Sequence, residues 1–382
     1  MRRQIEAIMN GQTTGPAAAA ALLQGIARLY DAGMRLRATL YARGILRVRR
    51  VPCPVISVGN LTLGGTGKTP MTVYLARLML RSGIRPAIVS RGYRGRAEKR
   101  GGIVSDGRRL CMTADTAGDE PFLMAAQLKK VPVLVGADRY RAAASALARF
   151  QPDVIILDDA FQRLDFYRDL NLVLLDAARP FGNGRLFPRG ILREAPAALK
   201  RASALILTRA VPDLTRGPRS AGLPDAIPLF RSIHAPHVVG IRRSAGRTAG
   251  PAATPVRMRL VQRRVFAFSG LARNDDFRTA LAGIGCRPAG RMTFPDHHRY
   301  RAADVRRIIA AARDSRSDMI ATTEKDAVKI ADRFDWPLDL AVVGVRIAFA
   351  DSAFDQFIQL RLKNWGLPST AAAAETGCAH DR

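Results

Sequence analysis

Cysteine is scarce and scattered. Cys53, Cys111, Cys286 and Cys378 are the four in 382 residues, and no two form a C-x-x-C pair. That spacing argues against a zinc knuckle and a disulfide framework, and it suits a reducing compartment. Long apolar runs are missing too: no stretch of eighteen uncharged apolar residues occurs, and the apolar run Ala17 to Leu29 is broken by Gln24 and Arg28. A spanning helix is therefore not expected. Nor is a cleavable signal, because the Ala-rich run leads into Arg-rich sequence and not a small-residue cleavage site, so the chain is expected to stay in the cytoplasm. Aromatic residues make up 6% and do not cluster with the arginines, and no helix-turn-helix or RNA-binding signature occurs, so no nucleic-acid partner is expected. Acidic residues are few: 32 Asp and Glu against 61 Lys and Arg leave a formal charge of +29. Such a charge attracts anionic partners. Arginine also outnumbers lysine greatly and alanine is abundant everywhere, as a coding bias would produce, so the placement of charge must decide and not its total.

What is present is globular composition, 48% hydrophobic and 24% charged, in a chain long enough for one large domain or two moderate ones. From Ala20 to Leu46, the residues Leu22, Ile26, Leu29, Gly33, Leu36 and Leu40 recur at three- and four-residue steps. Leu23, Tyr30, Met34 and Tyr41 widen the stripe, and Arg28, Asp31 and Arg35 fall opposite. This predicts an amphipathic helix, followed by the basic Arg47, Arg49 and Arg50. Two readings stand: the helix lies in a bilayer interface, or it packs on its own domain. Strands are then predicted over 54–58, 85–90, 131–135, 154–157, 172–175 and 204–208, with helices over 68–82 and 121–130. Short apolar runs separated by helical ones indicate a parallel sheet covered on both faces, an α/β fold. Pro-, Gly- and Arg-rich stretches at 211–228 and 243–255 read as connections, with a possible strand at 237–242 between them. A second alternating unit follows, with strands near 265–268, 319–322 and 340–345 and helices near 275–282, 302–313 and 353–361.

The strongest local signal runs from Pro54 to Thr69, where an apolar strand enters a glycine-rich turn that ends in Gly67-Lys68-Thr69 before a helix. Backbone N–H groups of such a turn wrap phosphate, the lysine reaches the outer phosphates, and the hydroxyl binds magnesium. Thr62 stands where the first glycine of the eight-residue pattern belongs, while Gly59, Gly64 and Gly65 keep the loop permissive. Val154 to Asp159 is an apolar strand ending in two carboxylates, which suits a magnesium ion beside a phosphate loop, although Asp after a buried strand is also ordinary turn chemistry. Asp119, ahead of Glu120 and Pro121, has two readings as well, helix N-cap or base. Asp296 could cap the helix after Tyr300, His298 reads as a polar contact, and Glu324-Lys325-Asp326 reads equally as fold maintenance or nucleotide contact.

Further motifs follow in order: Ser90-Arg91-Gly92-Tyr93, Gly118-Asp119-Glu120-Pro121, Gly136-Ala137-Asp138-Arg139, Asp158-Asp159-Ala160-Phe161-Gln162, Phe181 to Pro188 with Leu192-Arg193-Glu194, Phe294 to Tyr300, and Thr322 to Asp326. With the phosphate loop they make the stretch from about Pro52 to Val345 resemble the tetraacyldisaccharide 4'-kinases of lipid A biosynthesis. The resemblance implies a P-loop NTPase-like parallel sheet with helices on both faces, a smaller C-terminal α/β lobe, and a cleft between them. It implies transfer of the γ-phosphate of ATP, with Mg2+, to the 4'-hydroxyl of tetraacyldisaccharide 1-phosphate. The enzyme would act at the cytoplasmic face of the inner membrane, held peripherally by the N-terminal helix. On this resemblance Gly64, Gly65, Thr66, Gly67, Lys68 and Thr69 hold the nucleotide, and Thr69, Asp158, Asp159 and Glu194 surround the metal. Asn60, Arg91, Arg139, Gln162 and Arg193 contact substrate, and Asp119 and His297 deprotonate the sugar hydroxyl while Lys68 acts on the transferring phosphate. Where the family often has Asp-Asp-Gly-Leu-Gln-His, this chain has Ala160, Phe161 and Arg163, so the last position carries no role over. The expected division is a membrane-associating segment at 1–50, a P-loop kinase domain at 51–242, a linker at 243–256, a C-terminal lobe at 257–365 and a disordered tail at 366–382.

Overall fold

The computed structural model describes residues 16–210, 222–244 and 263–368, together with Met9, Thr13 and Leu260. The expected linker beyond Ser244, most of the tail and part of the 211–228 connection lie outside the described residues. The chain runs through helix α1 (Ala17–Ala42), strand β1 (Val55–Asn60), α2 (Lys68–Arg81), β2 (Pro86–Ser90), β3 (Gly102–Asp106), α3 (Ala114–Ala117) and α4 (Asp119–Gln127). It continues with β4 (Pro132–Val135), α5 (Arg139–Phe150), β5 (Val154–Asp158), β6 (Leu170–Asp176), a 3-10 turn at Pro196–Arg201, β7 (Ala204–Thr208) and β8 (Leu229–Arg242). The rest comprises β9 (Val265–Ser269), α6 (Asn274–Gly283), β10 (Gly290–Thr293), α7 (Ala302–Asp314), β11 (Met319–Thr323), α8 (Glu324–Ile330), β12 (Asp339–Phe349) and α9 (Ala353–Asn364).

The twelve strands of the described residues join one sheet in the order β10-β9-β11-β12-β8-β7-β6-β1-β5-β2-β4-β3. Strands β1, β2, β5 and β7 are buried along their whole length, as a parallel sheet covered on both faces requires. One face packs α2 and α4 through residues such as Met71, Leu75, Met79 and Met124; the other packs α5 through Ala142, Ala143 and Ala146. In the second lobe, α6 covers one face through Phe277 and Leu281, and α7 covers the other through Val305 and Ile308.

Strand β8 ties the two halves together by changing partners along its length. Leu229, Phe230 and Arg231 pair parallel with β7, and the residues from Ser232 to Arg242 pair antiparallel with β12. Strands β12, β11, β9 and β10 are mutually parallel, so they all run against β8. The carboxyl ends of the second lobe's strands therefore face back toward the carboxyl ends of the first lobe's, and the cleft lies between two such edges. In parallel sheets this is the edge where ligands bind.

Several elements escape the sequence pattern, among them the short α3 and the 3-10 turn. Strand β10 alternates half-buried and exposed positions and β3 opens on glycine, so neither shows an apolar run. Helix α5 buries a face of alanines, whose periodicity is faint against an Ala-rich background. The expected strand over 237–242 is the far half of β8, which starts at Leu229. Helix α9 returns from the second lobe to the first: Phe354, Ile358 and Leu362 are fully buried beside Ile56, Met71 and Leu75. Phe354 stacks on Phe349 at 4.4 Å and meets Phe230 edge-on at 5.2 Å.

The two readings of α1 divide between two flanks of the helix. Ala27 is buried, Tyr30 Oη donates to the Arg193 carbonyl at 2.8 Å, and Arg37 donates to the Gln162 carbonyl at 3.3 Å. That flank rests on the protein. The other flank presents Leu22, Ile26, Leu29 and Leu36, exposed at 66, 44, 76 and 61%. Among the described residues no helix is long and apolar enough to cross a membrane.

If α9 is part of the first lobe's core, Phe354→Ala should lower unfolding stability by about 3–5 kcal/mol, the usual result of truncating a buried phenylalanine. Denaturant unfolding measures it; a loss under about 1 kcal/mol would mean the helix is only laid on the surface.

Candidate active site

The phosphate loop is built by conformation before chemistry. Gly64 and Gly67 have φ of 100° and 87°, a left-handed backbone that other residues adopt only with strain. Gly67 also has no room: a Cβ there would lie 2.5 Å from His234 Nε2 on β8. Asn60, buried at the end of β1, donates to the Thr62 carbonyl at 2.7 Å and to Thr66 Oγ1 at 2.9 Å, fixing the loop from within. Gln162 Nε2 donates to the Asn60 carbonyl at 2.9 Å. At the loop's end Lys68 Nζ lies 3.7 Å from Asp159, which also receives Arg193 Nη1 at 2.8 Å.

The paired carboxylates behave differently. Asp158 is buried and accepts from Ser90 Oγ at 2.9 Å and Thr72 Oγ1 at 3.5 Å. Burial, reinforced by Glu120 and Asp159, pushes its carboxyl up to about 7. Burial would raise Asp159 as well, but Lys68, Arg193 and Arg139 outweigh it and hold that carboxyl below the usual range. A buried oxygen cluster short of positive charge, beside a hydroxyl-bearing phosphate loop, fits a hard divalent cation such as magnesium. Among the described residues no three His, Cys, Asp or Glu side chains gather as a metal-holding group. A metal here would rely on Thr69, on Asp158 and on phosphate oxygens, as P-loop sites do.

Across the cleft, His297 Nδ1 lies 3.0 Å from Asp119 Oδ2, joining residues 178 positions apart and from opposite lobes. Asp119 is the first residue of α4, but the N-cap is Gly118 and carries no side-chain cap, so the carboxylate is turned to the histidine. Burial would raise Asp119; the hydrogen bond from His297 and the charges of Lys329, His297 and Lys325 overcome it and hold the carboxyl below its ordinary value. His297 has φ of 58° and Asp159 of 49°, both in the left-handed region where a non-glycine residue is strained. Lys325 Nζ sits 3.3 Å from His297 Nε2, 2.9 Å from Asp296 and 3.4 Å from Glu120. Glu120 thus reaches both halves of the site, since its charge also acts on Asp158.

The model for the family described as tetraacyldisaccharide-1-P 4'-kinase matches residues 19–363 of this chain. The chain belongs to that family. The tetraacyldisaccharide 4'-kinase of Desulfatibacillum aliphaticivorans is 41% identical over 366 residues, covering 95% of this chain and 98% of its own. That of Geobacter metallireducens is 43% identical over 310 residues, covering 81% and 88%. A crystal structure of LpxK from Aquifex aeolicus in complex with ATP is 32% identical, with a TM-score of 0.68, covering 87% of this chain and 96% of the other. This member of the family is accordingly an enzyme, a kinase on a P-loop α/β fold.

Within this kinase the expected site residues fall into three groups. Lys68, Asp158, Asp159 and Arg193 converge at the phosphate loop, and Asp119 and His297 meet directly. Asn60 and Gln162 spend their amides inside the loop network, and Arg91 is paired with Glu98 at 2.6 Å. Arg139 is buried, donates to the Gly136 carbonyl at 2.8 Å, and is driven down to about 10 by burial and by Arg163 despite the nearby Asp158 and Asp159. Glu194 is paired with Arg201 at 2.6 Å and does not join Asp158 and Asp159 in a three-ligand group. Asp296 bonds Lys325, and Arg301 with Asp304 caps α7 instead. His298 contacts Asp304 at 3.1 Å, as a polar-contact reading has it. In the Glu324-Lys325-Asp326 motif, Asp326 maintains the fold by accepting from Gly270 N at 2.8 Å, whereas Lys325 stands at the Asp119–His297 pair. Sequence reasoning missed Lys329, which lies 3.3 Å from Asp119, and Arg168, whose Nη1 donates to the carbonyls of Ala160, Phe161 and Arg163. Only a helix register from Thr323 would have put Lys325 and Lys329 on one face.

A carboxyl held below its unfolded value stabilises the fold above that value, and the contribution is lost as pH falls through the depressed one. The melting-temperature gap between the parent and Asp119→Asn should persist down to about pH 5 and close below about pH 4. A gap that is absent at neutral pH, or that survives acid, contradicts this account of Asp119.

Proposed function

We propose that this kinase transfers the γ-phosphate of ATP to the 4'-hydroxyl of tetraacyldisaccharide 1-phosphate, with the nucleotide in the loop 64–69 and the acceptor hydroxyl at Asp119 and His297. The observation that carries the assignment is the Asp119–His297 contact at 3.0 Å, formed on the lobe edge that faces the phosphate loop. A sugar hydroxyl is a very weak acid, and a base within hydrogen-bond reach is worth about two to four powers of ten in rate. The hydroxyl oxygen forms the new P–O bond while the bond from the γ-phosphorus to the β–γ bridging oxygen breaks; the proton passes to the Asp119–His297 pair. Lys68 and Arg193, now on Asp159, supply the positive charge that the transferring oxygens need. Thr69 and Asp158 would hold Mg2+, which neutralises phosphate charge when bound. Lys325 and Lys329 keep Asp119 ionised and His297 oriented.

The decisive experiment is transfer from radiolabelled ATP to tetraacyldisaccharide 1-phosphate in detergent. The expected product carries its second phosphate at the 4' position, and Lys68→Ala should lower turnover by at least about two powers of ten without changing the melting temperature. Wild-type-like turnover in that variant would remove Lys68 from the reaction.

The same proposal includes peripheral contact with the cytoplasmic face of the inner membrane through α1. Its support is that the helix is already held by Tyr30 and Arg37 and still presents four large apolar side chains to solvent. Each leucine-sized group is worth about 1.5–3 kcal/mol when fully buried and less in an interface, and each arginine near anionic lipid adds about 1 kcal/mol. Replacing Leu22, Ile26 and Leu29 by serine should release the protein from anionic liposomes in a co-sedimentation assay, with activity on a detergent-dispersed acceptor much less affected. Undiminished liposome binding would move the membrane contact elsewhere.

A further inference from the structure

The helix pair that brings the lysines to Asp119 is pinned at both of its ends. Helices α4 and α8 come from opposite lobes and lie antiparallel. At the start of α4, Asp119 meets Lys329 at 3.3 Å and Glu120 meets Lys325 at 3.4 Å; at its end, Gln127 Nε2 donates to Glu324 Oε1 at 2.7 Å. Gln127 is itself held, since its carbonyl accepts from Arg77 Nη2 at 3.5 Å, on the helix that begins at Lys68. Glu324 is the first residue of α8, and its carboxylate lies over Gly344 of β12, where a Cβ would run into that carboxylate and into the His237 ring. Gly344 pairs with His237 just past the point where the β8–β12 ladder shifts register. Burial pushes the Glu324 carboxyl up, against the hydrogen bond from Gln127 and the charges of Arg346 and Arg77. Burying a carboxylate is costly, and among the described residues this one bonds neither the phosphate loop nor the Asp119–His297 pair. Helix α8 has only seven residues, too few to hold a direction by itself.

We propose that Glu324 is a positioning residue for the transfer: by accepting from Gln127 it fixes the start of α8 against the end of α4, and so holds Lys325 and Lys329 on the Asp119–His297 pair. The inference rests on the reading of that pair as the base under Proposed function, and it adds a residue that acts only through the two lysines. Pinned at the lysines alone, so short a helix is free to swing about them; pinned at Glu324 as well, it is not. What Glu324 supplies is an acceptor oxygen at a fixed place, so an amide oxygen in the same position serves equally. Asp119 and Gln127 stand at opposite ends of α4, about 12 Å apart along its axis. Sites so separated have additive effects on stability unless something couples them, and α8 is the coupling element here.

The test measures turnover, the KM for ATP and melting temperature in Glu324→Ala, Glu324→Gln, Lys329→Ala and the double variant Glu324→Ala/Lys329→Ala. Glu324→Ala should lower kcat at least about tenfold, a loss within the range produced by misplacing a group by about 1 Å. Its KM for ATP should change by less than about twofold, because the nucleotide loop is untouched. Glu324→Gln, whose amide oxygen still accepts from Gln127, should stay within about threefold of the parent. The double variant should be hardly slower than the slower single variant, since residues acting as a unit lose their effect together. A second readout needs no turnover: the melting-temperature gap caused by Asp119→Asn at pH 7 should shrink by about half or more in the Glu324→Ala background. Parent-like kcat in Glu324→Ala, losses that multiply with those of Lys329→Ala, or an Asp119→Asn gap that Glu324→Ala leaves unchanged each overturns the inference and makes Glu324 a support of the fold alone. Glu324→Gln as slow as Glu324→Ala also overturns it, by giving the effect to charge. Absent transfer from ATP in the parent would instead strike the reading of the pair as the base, and the melting comparison would still decide whether Glu324 holds the lysines on Asp119.

Discussion

A change of partner within one strand sets the geometry of the whole molecule. For three residues β8 extends the parallel sheet that carries the phosphate loop; from Ser232 onward it is the antiparallel neighbour of β12. That reversal turns the second lobe's strand ends toward the first lobe's. Strand edges that would otherwise point the same way are made to confront each other, and the contacts between the lobes follow. Asp119 stands at the start of α4, between the first lobe's β3 and β4, His297 follows β10, and Lys325 and Lys329 lie on the helix after β11. His234, on the same strand, leaves no space for a side chain at position 67. The glycine that lets the loop turn around phosphate is thus also required by the strand that joins the lobes.

Charge in this site is organised by pairing and not by quantity. The chain's large positive excess says little by itself, since Lys68, Arg193, Arg201, Arg209 and Arg273 are each neutralised locally by a carboxylate. What matters is where pairing fails. Asp158, buried with Glu120 and Asp159 near it, lacks enough positive charge and is pushed toward neutrality.

The first lobe was legible because its signals are local. An apolar strand running into Gly67-Lys68-Thr69 fixes β1, the loop and α2 within sixteen residues, and Val154 to Asp159 marks a buried strand with its carboxylates. The edge strands β3 and β10 were not legible, since both are short, β3 opens on glycine and β10 is half exposed, and α5 hides its buried face in alanine. The Asp119–His297 pair is different in kind: no periodicity relates two residues so far apart, and it came from motif resemblance alone. Read locally, Asp119 was first of all a helix cap, and only the turn of its side chain away from the backbone decides against that. Glu194 and Arg91 had the right chemistry for the site, but each has an oppositely charged neighbour close in sequence, and those short-range pairs claim them.

Helix α9 has a consequence for how the protein acquires its shape. The second lobe, from about Ser232 to Phe349, interrupts the first, whose core contains both Ile56 and Leu362. Contacts of such sequence separation close late, because the intervening chain must already be ordered for them to form. During synthesis the phosphate-loop lobe would emerge with one flank of Met71, Leu75 and Met79 uncovered, and it would remain so until the whole inserted lobe and the last helix had left the ribosome. The nucleotide-binding half, first in the sequence, is therefore the last to be finished.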